Sequence, residues 1–245
     1  MSKTPSGYGK HACLAILKNP NRQIEQLVVR SGDEKRYQPL LDIAKQRNIT
    51  ITMQNTDFFN KNFADNVHQG IVIWAKPLPT LVEPDIIPFI EKLEHPAFIL
   101  ILDGVTDPHN LGACLRTADA VGADMVIVPK DKSASSNAVV TKVSSGATES
   151  VPLIRVTNLA RSIELLQQLG VWIYGACGQA QQSLYELEGK QSIALVLGAE
   201  GDGLRRLTRD KCDGLFSIPM YGMVSSLNVS VAAGISLYEI RRQRG

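Results

Sequence analysis

Five apolar residues in a row, Phe98 to Leu102, end at Asp103, and similar runs follow at Met125–Val128, Val171–Tyr174 and Ile193–Leu197. Apolar runs without polar alternation mark strands covered on both faces, as in a parallel sheet. Between these runs apolar residues recur at helical spacing, which predicts helices over Leu111–Val121, Asn137–Ser145 and Leu159–Leu169. Strand–helix–strand alternation predicts an α/β fold, a parallel sheet with helices on both faces. Ligands of such sheets sit at the carboxyl ends of the strands, so the chemistry is expected there.

The front of the chain carries a second, shorter alternation. A helix is predicted over Gly9–Asn19, with Ala12, Ala15 and Ile16 on one side. Strands are predicted at Gln26–Arg30 and Ile49–Met53, with a helix over Tyr37–Asn48 between them, marked by Leu40, Leu41 and Ala44. Gly70–Trp74 is a further β-rich run. Pro77, Pro79, Pro84 and Pro88 then resist regular structure, so residues 75–84 read as a linker and Ile86–Leu93 as a resumed helix. The expected domains are residues 1–76, a small α/β unit; residues 77–95, a proline-rich linker with a first helix; and residues 96–245, the larger parallel-sheet domain.

Composition narrows the class. Of 245 residues 44% are hydrophobic, which argues against disorder. No apolar run reaches the roughly 18 residues needed to cross a bilayer, and Met1–Lys10 lacks a signal-peptide core. A cytoplasmic protein with no membrane partner is expected, and the glycosylation-like triplets at Asn48 and Asn228 read as chance matches. Cys13, Cys114, Cys177 and Cys212 are scattered and read as reduced core thiols. His11, His68, His95 and His109 show no ligand spacing, so no metal is expected. Net charge is only +2, but it is unevenly spread. Residues 1–76 hold 11 Lys/Arg against 6 Asp/Glu, and the remainder holds 15 against 18. A basic front part suits a module that grips a polyanion.

Three stretches carry the candidate chemistry. In the first, Asp103-Gly104-Val105-Thr106-Asp107-Pro108-His109-Asn110-Leu111-Gly112-Ala113-Cys114-Leu115-Arg116, a strand ends and a helix begins. Asp107 fits an N-cap and Pro108 the first helical position. Leu111, Leu115 and Ala118 form the packed stripe, and Arg116 lies on another face beyond the small Gly112 and Ala113, which would admit a phosphate backbone or a second chain. Arg116 also reads as an ordinary solvated arginine. In the second, Leu197-Gly198-Ala199-Glu200-Gly201-Asp202-Gly203, a strand enters a glycine turn whose backbone can approach a ligand. Glu200 reads as a site residue or as a helix-start acid. In the third, Ile218-Pro219-Met220 closes a short strand, and Ser226, Leu227 and Asn228 precede a helix rich in small residues. Ser226 and Asn228 read as site residues or as N-caps.

A dinucleotide-like Gly7-x-Gly9-x-x-Ala12 lacks the buried strand that such a motif needs in front of it, so a nicotinamide oxidoreductase is set aside. Taken together, Asp-Pro-x-Asn-x-Gly with Arg116, then Leu-Gly-x-Glu-Gly-x-Gly, then Ile-Pro-Met and Ser-Leu-Asn-Val-Ser resemble the SpoU class of RNA 2′-O-methyltransferases in the SPOUT superfamily. No motif position departs from the pattern, and the resemblance spans essentially the whole chain. It implies a C-terminal trefoil knot, a ribosomal-protein-like front domain that binds substrate RNA, S-adenosyl-L-methionine as cofactor, and a homodimer with the site near its interface. It further implies that the backbone at Gly198, Ile218 and Leu227 holds the cofactor. Arg116 is then the key substrate residue, with Asn110, Glu200, Ser226 and Asn228 completing the site. The implied reaction is 2′-O-methylation of a guanosine ribose in large-subunit (23S) ribosomal RNA. A transfer RNA ribose, and a non-catalytic RNA-binding assembly protein, stand as alternatives.

Overall fold

The computed structural model describes residues 5–131, 133–134, 140, 143–144, 146–199, 201 and 203–245. The chain divides into two units, one ending at Pro79 and one beginning at Thr80. In the first unit, β1 (Gly7–Tyr8), β2 (Ile24–Arg30), β3 (Thr50–Gln54) and β4 (Ile71–Ala75) form a sheet in the order β1-β4-β2-β3. β2 and β3 run parallel, and β4 is antiparallel to β1 and β2. Side chains alternate across a strand. Leu27, Val29, Ile71 and Ile73 therefore share one core with helices α1 (Gly9–Lys18) and α2 (Gln38–Gln46). Val28 and Val72 face the other side, where Phe59 and Phe63 of α3 (Thr56–Phe63) cover them.

Two readings of this unit change. The buried face of α1 is Cys13, Ile16 and Leu17, while Ala12 and Ala15 are only half-buried. The larger side chains turn inward because α1 is flanked by both β4 and α2. Helix α3 was not foreseen. Its apolar face is only one turn long, Phe59 and Phe63, and it is held by the Asn55 cap on Phe58 N–H and by edge-to-face contacts among Phe58, Phe59 and Phe63.

The second unit carries β5 (Leu81–Val82), β6 (Phe98–Asp103), β7 (Met125–Pro129), β8 (Leu153–Val156), β9 (Trp172–Ala176), β10 (Gln182–Ser183), β11 (Ile193–Gly198) and β12 (Gly214–Ser217). They form one wholly parallel sheet in the order β10-β12-β9-β11-β6-β7-β8-β5. The helices are α4 (Ile86–Glu91), α5 (Pro108–Val121), α6 (Leu159–Gln168), α7 (Arg206–Lys211) and α8 (Val229–Arg244). Phe98, Leu100 and Leu102 on β6 pack with Leu111 and Leu115 of α5 and Leu237 and Ile240 of α8. Ile99 and Ile101 turn the opposite way, toward Ile86 of α4 and Ile163 and Leu166 of α6. This double coverage explains the unbroken apolar runs, since each such side chain stabilises the fold by about 1.5–3 kcal/mol when buried.

Part of the expected linker is strand. Leu81 and Val82 pair with Ile154 and Arg155 at the sheet edge, because the neighbouring prolines fall outside the paired residues. β8, β10 and α7 carried no clear sequence signal. The predicted Asn137–Ser145 helix falls largely outside the described residues. The cysteines divide. Cys13 and Cys114 are buried, and burial pushes the Cys114 thiol up to about 12. Cys177 and Cys212 are only half-buried, so the expectation of four core thiols holds for two. No helix among the described residues is long and apolar enough to cross a membrane.

Candidate functional site

At the carboxyl ends of β9, β11 and β12 lies a cavity of about 490 Å³. Three stretches wall it: Ala176–Gln179 after β9; Leu197, Gly198, Ala199, Gly201, Gly203 and Leu204 at and after β11; and residues from Phe216 to Ala232 after β12, among them Ile218, Met220, Ser226 and Leu227. This is the ligand side of an open parallel sheet, and the volume lies in the range of small-molecule sites, roughly 300–1,000 Å³.

Gly198 explains the shape. A Cβ built there would sit 2.0 Å from the Gly203 carbonyl carbon and 2.1 Å from its oxygen. The turn therefore folds back directly onto the strand end, closed by Gly203 N–H donating to the Ala199 carbonyl at 3.0 Å. Gly201 and Gly203 take φ of +86° and +66°, left-handed values that favour glycine. Gly198, Gly201 and Gly203 thus bring a stretch of backbone without side chains to the cavity wall.

Four of the expected site residues, Gly198, Ile218, Ser226 and Leu227, line this cavity. Asn110 and Asn228 meet beside it. Asn228 Nδ2 donates to Asn110 Oδ1 at 3.1 Å, and Asn228 Oδ1 accepts from Ser230 N–H at 2.9 Å and from Ser230 Oγ at 2.6 Å. Asn228 is thus the N-cap of α8 and the link to α5 at once. Those bonds fix its amide orientation, and Asn110 keeps its own NH2 free among the described residues. Asp107 caps α5 as expected, accepting from His109 N–H at 3.0 Å. Arg116 stands on α5, exposed, without a partner among the described residues and outside the lining of this cavity. Glu200 lies outside the described residues. Gly112 is not a landing place for phosphate: it is buried, and a Cβ there would meet Val143 at 2.7 Å.

Sequence reasoning missed other residues here. The Asp103 side chain is fully buried at the end of β6, in register with Gly198. One oxygen accepts Arg205 N–H at 3.0 Å, and the other lies 3.0 Å from Arg205 Nε. A carboxylate closing an apolar strand was the available signal. Cys177 and Arg209 also line the cavity. Among the described residues no cluster of His, Cys, Asp or Glu could hold a metal ion. Burial, helped by nearby Asp213 and Asp103, pushes the Cys212 thiol up to about 12, so it is no nucleophile at neutral pH.

Residues 8–81 match the family model described as RNA 2′-O ribose methyltransferase substrate binding. The chain is 53% identical over 239 residues to the 23S rRNA (guanosine-2′-O-)-methyltransferase RlmB of Pasteurella multocida (strain Pm70), covering 97% of each. It is 51% identical over 238 residues to the RlmB of Escherichia coli (strain K12), covering 97% of this chain and 98% of that one. The fold is shared with the SpoU methyltransferase AviRb from Streptomyces viridochromogenes, crystallised with AdoMet, at a TM-score of 0.78, 23% identity, and coverage of 97% and 89%. Residues 97–238, which hold all three motif stretches and the cavity, match the model of the SpoU rRNA methylase family, and the chain belongs to that family.

Proposed function

We propose that the chain is an S-adenosylmethionine-dependent methyltransferase acting on the 2′-hydroxyl of a guanosine ribose in 23S ribosomal RNA. The observation that carries the reading is convergence: stretches far apart in sequence supply Gly198, Ile218, Ser226 and Leu227 to one cavity, with the Asn110–Asn228 pair at its side. Whole-length identity of about half to enzymes named for this reaction supports the substrate, and favours it over transfer RNA and over a binding protein without activity. A trefoil knot in residues 97–238 belongs to the same reading, supported by the family match.

The backbone at Gly198, Gly201 and Gly203 and the Ile218 and Leu227 segments fit the adenosine part of the cofactor, since this part of the cavity wall is glycine backbone and apolar side chains. When bound, S-adenosylmethionine supplies an electrophilic methyl group. The protein then has to align the ribose oxygen with it, a positioning effect potentially worth several kcal/mol. Asn110, with its amide tethered by Asn228, offers a fixed donor to the acceptor ribose or its phosphate. A guanidinium is a phosphate binder and a poor proton acceptor, so the role that fits Arg116 is to orient phosphate and stabilise charge rather than to take the hydroxyl proton. A homodimer is part of the proposal. Val231 and Tyr238 are exposed on α8, with Gly234 open between them, which suits a second copy of the helix. Arg116, outside its own chain's cavity, would then reach the site across the interface.

The test is methyl transfer. Purified protein given tritiated S-adenosylmethionine and 23S or transfer RNA transcripts is expected to label 23S RNA alone, at one 2′-O position. Labelling of transfer RNA only would overturn the substrate. Arg116→Ala is expected to bind S-adenosylmethionine normally by calorimetry while losing turnover by about 10²-fold. Near-normal turnover would remove Arg116 from the mechanism.

A further inference from the structure

Four basic side chains surround α7: Arg205, Arg206, Arg209 and Lys211. Three are engaged. Arg205 Nε lies 3.0 Å from the Asp103 carboxylate, Arg206 Nε lies 3.7 Å from Asp210, and Lys211 pairs with Glu164. The Arg209 guanidinium has no hydrogen-bond or ion-pair partner among the described residues. It is also the one charged side chain that the described residues contribute to the cavity lining.

Its place there is built, not incidental. The buried Asp103 grips Arg205 through both the backbone N–H and the guanidinium. The Arg205 carbonyl in turn accepts Arg209 N–H at 2.9 Å. Strand β6 thus fixes the start of α7, and one helical turn later Arg209 meets the cavity. Around it the lining offers backbone, Gln179, Cys177, serines and apolar groups, and no competing anion among the described residues. An exposed guanidinium on a helix held in place, with no acidic side chain among the described lining residues, selects an oxyanion, most strongly a carboxylate or phosphate that it can hold by paired N–H donors.

We propose that Arg209 binds the carboxylate on the amino-acid tail of S-adenosylmethionine and of its demethylated product. This rests on the reading of the cavity as the cofactor site. It assigns the end of the cavity near α7 to the amino-acid tail and leaves the glycine backbone to the adenosine.

The experiment uses the full chain and two related ligands, read by calorimetry. S-adenosylhomocysteine has the tail; 5′-methylthioadenosine keeps the nucleoside and sulfur and lacks it. Arg209→Ala is expected to weaken S-adenosylhomocysteine about tenfold and 5′-methylthioadenosine less than about twofold. Arg209→Lys is expected to recover part of the loss. A folding defect would weaken both ligands together, and that result overturns the proposal, as does unchanged binding of both. Weakened RNA binding with unchanged S-adenosylhomocysteine overturns it and makes Arg209 a phosphate contact instead. Failure of the unaltered chain to bind S-adenosylhomocysteine at all would instead strike the cofactor reading itself.

Discussion

A single missing side chain shapes the site. At Gly198 a methyl group would overlap the Gly203 carbonyl, whereas at Gly201 nothing lies within 4 Å and only the φ of +86° objects. Gly198→Ala is therefore expected to cost about 3 kcal/mol, as overpacking against backbone does, and to abolish measurable S-adenosylhomocysteine binding. Gly201→Ala is expected to cost about 1 kcal/mol and to keep most of the affinity. Denaturant midpoints and calorimetry on both variants check the difference, and equal effects would contradict the backbone-contact argument. Gly198 could be found from the sequence because three glycines after a strand have few uses. Asn228 was legible only as two competing readings, cap or site residue. The structure shows the cap, and a different atom of the same amide tethers Asn110, so capping does not compete with the proposed place in the site.

At the scale of elements, the buried strands could be read because burial on both faces leaves no freedom for polar residues: β6, β7 and β11 are apolar almost throughout. Two-residue strands at the sheet margins, β5 and β10, have no such constraint and left no pattern. The contact between β6 and α7 was equally invisible, because Asp103 and Arg205 are 102 residues apart and each looks ordinary alone. Removing one partner of a buried ion pair leaves a charge without compensation. Arg205 is about half exposed and a backbone N–H remains on Asp103, so Arg205→Ala is expected to lower stability by about 2 kcal/mol. A lower urea midpoint with unchanged slope would show it; no change would mean that solvent replaces the guanidinium.

At the scale of the molecule, each unit has cores of its own: two clusters on either side of the small sheet, and two on either side of the large one. The proposed division, RNA on the basic front part and the cofactor on the rear part, can therefore be tested one part at a time. Deleting residues 1–76 is expected to cost RNA affinity by more than tenfold and S-adenosylhomocysteine affinity by less than about twofold, measured by filter binding and calorimetry. Equal losses would show that the two parts do not work separately. The cavity's walls are the terminal segments of β9, β11 and β12, and β12 is joined to the rest of the sheet through β9 alone, with only two-residue β10 beyond it. A molecule seated there acts as a rivet across three strand ends. Local opening of that margin would have to expel it, so occupancy should slow amide hydrogen exchange along a whole flank of the sheet rather than only at the atoms touched.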